Sequence, residues 1–441
     1  MSNSLRVLSI AAGLALGLNG CGFETRAADL RYGTQESSRT ALAEHADVLV
    51  RLETGLVERF GEPVAPRYPA LAAWADARFD PAQPERAADA GGSGELSGEA
   101  LERVRADNAK RFVRELAAIE RGDFDDVAEP RGHPALFQAF RALVADPARP
   151  LEERRIAARA LFLDFYPTLA ESAELYRIEC LHCHGTAGGG DGPTANFLEP
   201  RPRDFRRGVF KWTSVKDGGR PTRADLVRVL ELGVYGTSMP SFRRLSEAER
   251  QGLADYARFL AVRGEVERQV VLAYEDEEEL TDATFDDALD LVWGKWEKAP
   301  KQVVTWSGPI PEPTPEAIAL GDRLFHDAAK GNCSACHGNE GRGDGPVAFK
   351  IDDRGRKTAA YQDAWGFDIL PRNLRRDPFR GGRRPIDLYR RIHAGINGGP
   401  MPAMSSNLTA DEIWALVHYT RTLAEKALED ELAARAELGG R

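Results

Sequence analysis

Two short stretches hold the residues whose types and spacing could do chemistry: Cys180-Leu181-His182-Cys183-His184 and Cys333-Ser334-Ala335-Cys336-His337. In each, two thiols separated by two residues sit on one turn, where they can add across the two vinyl groups of a porphyrin. The histidine that follows is then placed under the iron. A methionine comes later in each copy, Met239 and Met401, and its thioether can close the opposite face of the iron, the Met/His ligation that raises a reduction potential. A four-cysteine zinc ribbon needs its pairs much closer than the 149 residues between Cys183 and Cys333, and a thioredoxin-like pair needs no following histidine. Neither accounts for the methionines, which apart from Met1 stand only at 239, 401 and 404. The pattern predicts two covalently bound haem c groups, attached at Cys180, Cys183, Cys333 and Cys336, with His184, Met239, His337 and Met401 as iron ligands.

The copies match beyond these residues, as tandem homologous domains would. Gly190-Asp191-Gly192-Pro193 and Gly343-Asp344-Gly345-Pro346 place their aspartates seven residues past each histidine. Pro202-Arg203-Asp204-Phe205-Arg206-Arg207 pairs with Pro371-Arg372-Asn373-Leu374-Arg375-Arg376. Asp225-Leu226 and Asp387-Leu388 each begin fourteen residues before the methionine. The methionine loops align from Gly233 and Gly395, so Met401 is the counterpart of Met239, while Met404 is the counterpart of Phe242 and reads as a wall residue.

The elements that must position these groups are helical. A short helix from Ala170 to Glu179 leads into the first attachment turn. Capping boxes at Ser246 to Glu249 and Thr409 to Glu412 open the closing helices, which carry Leu253, Tyr256, Phe259 and Leu260, and Leu416, Tyr419 and Leu423, on one face. This architecture and its motifs resemble class I c-type cytochromes, over roughly 166–264 and 317–430. The resemblance implies that His184 and His337 bind iron through one ring nitrogen while the other donates to a backbone carbonyl, a role that Pro193 and Pro346 fit. It also suggests Arg203 and Arg372 as partners of the haem propionates, because a guanidinium matches a carboxylate fork. His182, His326, His393 and His418 read as non-ligating.

The fold class expected is all-α: two tandem cytochrome c domains preceded by a helical N-terminal region. Residues 1–21 read as a secretory signal whose Leu18-Asn19-Gly20-Cys21 resembles a lipobox, which would make Cys21 the lipid-bearing residue. Beyond it no apolar run is long enough for a membrane helix. Residues 22–165 have helical periodicity over Ser37 to Phe60, Ser97 to Arg121, Pro134 to Val144 and Leu151 to Phe165, with a flexible loop from Ala88 to Glu95. They read either as a docking or haem-covering module or as a spacer. The first haem domain spans 166–264 and the second 317–430, before a tail at 431–441. Between them, 265–316 carries the acidic run Glu275 to Glu279, Trp293, Trp296 and Trp306, and a proline-rich end. Its tryptophans argue for packing between the domains. The second domain has an insert, Phe349 to Phe367, expected to shield its haem or to face a partner.

The net charge of −10 disfavours nucleic acid as a partner. These readings point to a dihaem electron-transfer protein on the periplasmic or cell-surface side of a bacterial membrane, lipid-anchored, serving redox partner proteins or a respiratory complex. Two alternatives stand beside it. A dihaem peroxidase would leave one iron face open, against the two matching methionine loops, and a haem-based sensor or scaffold would make the N-terminal region the working part.

Overall fold

The computed structural model describes residues 30–66, 114–128, 134–163, 169–376 and 379–439. The leader with Cys21, the loop from Ala88 to Glu95, most of the stretch from Ser97 to Arg121, and His133 lie outside the described residues. What is described is mostly helical. Its strands are three short antiparallel pairs, one at Gly61–Glu62 with Ala65–Pro66 and two in the insert.

The helix expected from Ser37 to Phe60 is two helices, α1 (Glu36–Ala41) and α2 (Ala46–Phe60), parted by a turn that buries Leu42. After a helical stretch over 114–121 come α3 (Pro134–Ala145) and α4 (Leu151–Leu163). Phe140, Val144, Ala158 and Phe162 from these two close on Ile119, Phe124, Val127 and Ala248 as a separate small core.

The first haem domain opens with α5 (Leu169–Glu179) and the attachment turn α6 (Leu181–His184). It continues through α7 (Arg223–Leu232) into α8 (Glu247–Glu277). Capping boxes start both longer helices: Thr222 with Asp225 for α7, and Ser246 with Glu249 for α8. α8 runs unbroken across the boundary expected at 264. Its first half turns Leu253, Tyr256 and Leu260 toward α5, with the Tyr176 and Tyr256 rings 5.1 Å apart. Its second half is enclosed by α2 and by α9 (Asp282–Glu297), so that even Arg263, Glu265 and Glu267 are buried. Each of these charges finds a partner inside the core, as burial requires. The Gln35 amide donates to Glu267 Oε1 at 2.6 Å, Trp296 Nε1 to Glu265 Oε1 at 2.9 Å, and Arg263 reaches the Tyr32 carbonyl at 3.3 Å. Residues 30–66 and α9 therefore pack into the core of the first haem domain. Gly55 of α2 is where Phe285 of α9 enters, for a Cβ there would collide with its ring.

The second domain is built from α10 (Pro315–His326), the attachment turn α11 (Cys333–His337), α12 (Pro385–Ala394) and α13 (Ala410–Gly439), the last absorbing the tail expected at 431–441. Thr314 caps α10, and Pro315 takes its first position, where no N–H is needed. α10 crosses α13 at Gly321, where any side chain would strike the Ala415 carbonyl. Trp414, Tyr389, Phe325, Ile413 and Met404 fill the core, and Trp306 of the connector joins them, 5.5 Å from Trp414. The connector's backbone meanwhile bonds to the first domain, Lys216 N to Gln302 O at 3.0 Å and Val304 N to Ser214 O at 2.8 Å. It packs between the two domains.

Candidate functional site

Each attachment motif is one tight helical turn. His184 N donates to Cys180 O at 2.8 Å, and Gly338 N to Ser334 O at 2.8 Å. The chain then reverses at Gly185 (φ 73°) and Gly338 (φ 78°), a left-handed backbone that suits glycine. At both positions a Cβ would also run into the following aspartate, Asp191 or Asp344. The loop folds back over the turn through matching bonds: Gly190 N to His184 O at 2.9 Å and Gly343 N to His337 O at 2.7 Å. Phe205 N to Gly188 O and Leu374 N to Gly341 O follow, both at 2.7 Å. Those last bonds lay the Pro-Arg segment beside the histidine ring.

The result departs from the sequence expectation. The carbonyl facing His184 Nδ1, at 3.1 Å, is that of Arg203, and the one facing His337 Nδ1, at 3.0 Å, is that of Arg372. Pro193 and Pro346 are exposed and do not supply it. Each follows a glycine, Gly192 or Gly345, whose N–H closes on the second cysteine's carbonyl, and this points the proline outward. An Nδ1–H donated to a carbonyl fixes the tautomer and leaves the Nε2 lone pair for a metal. Burial lowers the His184 pKa to about 4 and lowers that of His337, so both rings are neutral, the ligating form. Phe205 stacks on His184 with centroids 4.5 Å apart.

Burial pushes the Cys180 thiol up to about 12 and the Cys333 thiol to about 11. A buried apolar sulfur suits a thioether, which has no proton to lose. The cradle thus fits a covalently held porphyrin: uncharged sulfur sites on one turn and a neutral imidazole with its outer nitrogen anchored.

The methionine loops are also built alike. Val234 N donates to Met239 O and Ile396 N to Met401 O, both at 3.1 Å. Gly233, Gly236, Gly395 and Gly398 all have φ between 67° and 70°. Phe242 N to Leu230 O at 2.7 Å matches Met404 N to Ile392 O at 3.0 Å, so Met404 occupies the place of Phe242, inside the core. Met239 packs against the cluster that contains Cys180, and Met401 against the one that Cys333 also borders. The other described histidines are elsewhere. His182 is exposed, His45 meets Tyr274, His326 bonds to the Asp322 and Asn339 carbonyls, and His393 and His418 lie beside Tyr389 and Trp414.

Arg203 and Arg372 serve the histidines through their main chains, and the side chain of each reaches toward the other domain. Arg203 Nη1 bonds to Asp363 Oδ2 of the insert at 2.8 Å, so its guanidinium is already held by a carboxylate of the protein. Arg372 Nη2 donates to Arg376 O at 3.1 Å, and its Nη1 approaches Gly236 of the first methionine loop. Two further cations join them. Lys211 Nζ bonds to Asp363 Oδ2 at 2.9 Å, and Arg380 points at the Gly236 carbonyl. Sequence reading missed this pair, although a signal existed: Lys211 and Arg380 each stand eight residues past the matched arginine. The seam is completed by Arg228 with Asp387, Arg391 to the Lys211 carbonyl at 2.8 Å, and Asn397 with Gly218 N at 3.0 Å and Gly219 O at 3.1 Å.

Two families of known proteins match the segments that hold these turns. Residues 167–256 match the family described as cytochrome c oxidase, cbb3-type, subunit III, and residues 318–424 match the family cytochrome c. Among curated proteins none matches significantly. A solved chain of the reducing HAO-like protein complex of Kuenenia stuttgartiensis is 28% identical, over 57% of this chain and 94% of that one, with a TM-score of 0.44. With both copies of the motif inside matched segments, the chain carries two tandem cytochrome c domains, which imply two covalently bound haem c groups and support haem-based electron transfer of the kind dihaem class I c-type cytochromes perform.

Proposed function

We propose that this protein is a carrier that passes single electrons between redox partners outside the cytoplasm, held to a membrane by lipid on Cys21 and serving partner proteins or a respiratory complex. The observation that supports this most is that the two cradles repeat each other bond for bond, from the histidine's carbonyl to the methionine loop. Each copy keeps a methionine, Met239 or Met401, on a matching loop that would supply the second axial ligand.

Haem c supplies reversible uptake of one electron at its iron. The chain's own residues set the conditions. Cys180 and Cys183, and Cys333 and Cys336, would anchor each group to its turn. His184 and His337 offer Nε2, held in aim by the Arg203 and Arg372 carbonyls. Met239 and Met401 would supply a thioether sulfur to the iron from the matching loops and so keep water and peroxide off it. With histidine and methionine both bound to it, a haem c here would be left with outer-sphere transfer of one electron.

Carbon monoxide tests this reading, because it binds ferrous haem only where an axial position is open or weakly held. The dithionite-reduced protein is expected to leave carbon monoxide unbound at both irons. Stoichiometric binding at one iron in the unmodified protein would favour a peroxidase-like enzyme and overturn the carrier.

A further inference from the structure

The insert of the second domain is a pair of hairpins, Phe349–Ile351 with Lys357–Ala359 and Tyr361–Gln362 with Asp368–Ile369. Asp363 follows the first strand of the second hairpin, and its two carboxylate oxygens have different partners. Oδ1 accepts from the Trp365 and Phe367 amides at 3.0 and 3.2 Å, which closes the hairpin on itself. Oδ2 accepts from Arg203 and Lys211, both in the first domain. The side chains of Asp363 and Lys211 are each only 3% exposed, so this contact is made out of water.

The next two residues reach the other way. Ala364 N donates to Gly398 O at 2.9 Å, in the loop that carries Met401 three residues later. The Trp365 ring lies under the Arg203 guanidinium, 4.7 Å from its centroid, and against Gly398, where a Cβ would come within 2.9 Å of it. Its Nε1–H donates to Asp204 O at 3.1 Å. Three consecutive residues thus hold Arg203, whose carbonyl orients His184, and Gly398, which shapes the Met401 loop.

We infer that Asp363-Ala364-Trp365 is a positioning clamp that couples the axial ligation of the two haems, so that the histidine side of the first and the methionine side of the second respond together. This rests on the axial ligands proposed above. Coupling between two sites is reciprocal, so the clamp makes each iron's affinity for its electron depend on the other's state.

Asp363→Asn is the selective cut. Its amide oxygen can still accept the two hairpin amides, while the NH₂ replaces the oxygen that faced Arg203 and Lys211. Trp365→Phe is the second variant. It adds no charge change, keeps a ring beside Gly398, and removes the bond to Asp204. Each is read by spectroelectrochemical titration of the holoprotein, with the haems assigned through Met239→Ala and Met401→Ala.

In both variants the two midpoint potentials are expected to move, each by at least about a threefold change in the reduction equilibrium, about 28 mV at 59 mV per tenfold. The methionine-to-iron charge-transfer band of the second haem should also weaken. Two low-spin Met/His haems in the unmodified protein, with only one potential or neither moving in Trp365→Phe, would overturn the clamp and leave the ligand assignment standing. Unmodified protein lacking those two haems would overturn both.

Discussion

At the scale of single residues, the proposed ligands stand out in the sequence because covalent attachment leaves little freedom: two thiols, two residues between them, then an imidazole. Met401 could be told from Met404 only by register against the first copy, and the backbone agrees, since Met404 makes the bond that Phe242 makes. The two methionines should therefore fail differently. Met401→Ala, like Met239→Ala, is expected to lower its own haem's potential and admit carbon monoxide there. Met404→Ala should leave spectra and potentials in place and cost about 2–5 kcal/mol of stability in denaturant titration, as loss of a buried methionine does. The carbonyls of Arg203 and Arg372 were not legible at all. A main-chain acceptor has no side-chain signature, so the arginines drew notice for their guanidinium groups while their work for the histidines is done by the backbone.

Helices were read best where a chemical signal marks the end. Ser246 with Glu249 announces α8, and Ser246→Ala is expected to cost about 1 kcal/mol of stability in thermal unfolding. Where α8 continues was hidden, because Arg263, Glu265 and Glu267 look like solvent-facing residues until Gln35, Trp296 and the Tyr32 carbonyl are brought to them. The same concealment made residues 30–66 look like a separate module. Gly55→Ala tests their membership of the core. Its new methyl meets the Phe285 ring and is expected to cost about 1–3 kcal/mol, the usual penalty of overpacking, in the same transition that unfolds the first haem domain. A truncation starting at 166 should for the same reason expose Phe259, Val266 and Val270 and yield insoluble protein, whereas a dispensable spacer would leave it soluble.

The arrangement of the whole molecule was the least legible, because the interdomain partners of Asp363 and Asp387 are more than 150 residues away in the chain. Matched pairs such as Asp225 and Asp387 suggested duplication. They did not reveal that Asp387 would also take Arg228 from the other domain. These seams carry a pH signature. Burial would raise the Asp363 carboxyl, but Lys211 and Arg203 outweigh it and hold the pKa below its ordinary value. Arg228 and Arg384 do the same for buried Asp387. A carboxylate depressed in the folded state contributes stability at every pH above its unfolded value, and that contribution is lost as pH falls through the folded one. The interdomain contact is therefore expected to be insensitive from neutral pH down to the ordinary carboxylate range near 3.8 and to weaken only below it. Small-angle scattering across an acid series would show this as a late expansion, and Asp363→Asn should remove part of it.

All of this depends on two irons, each held between imidazole and thioether. Near-infrared magnetic circular dichroism of the oxidised protein tests that most directly. The expected spectrum has charge-transfer bands for two low-spin histidine–methionine haems per chain and no high-spin signal. One high-spin iron, or one with two nitrogen ligands, would contradict it.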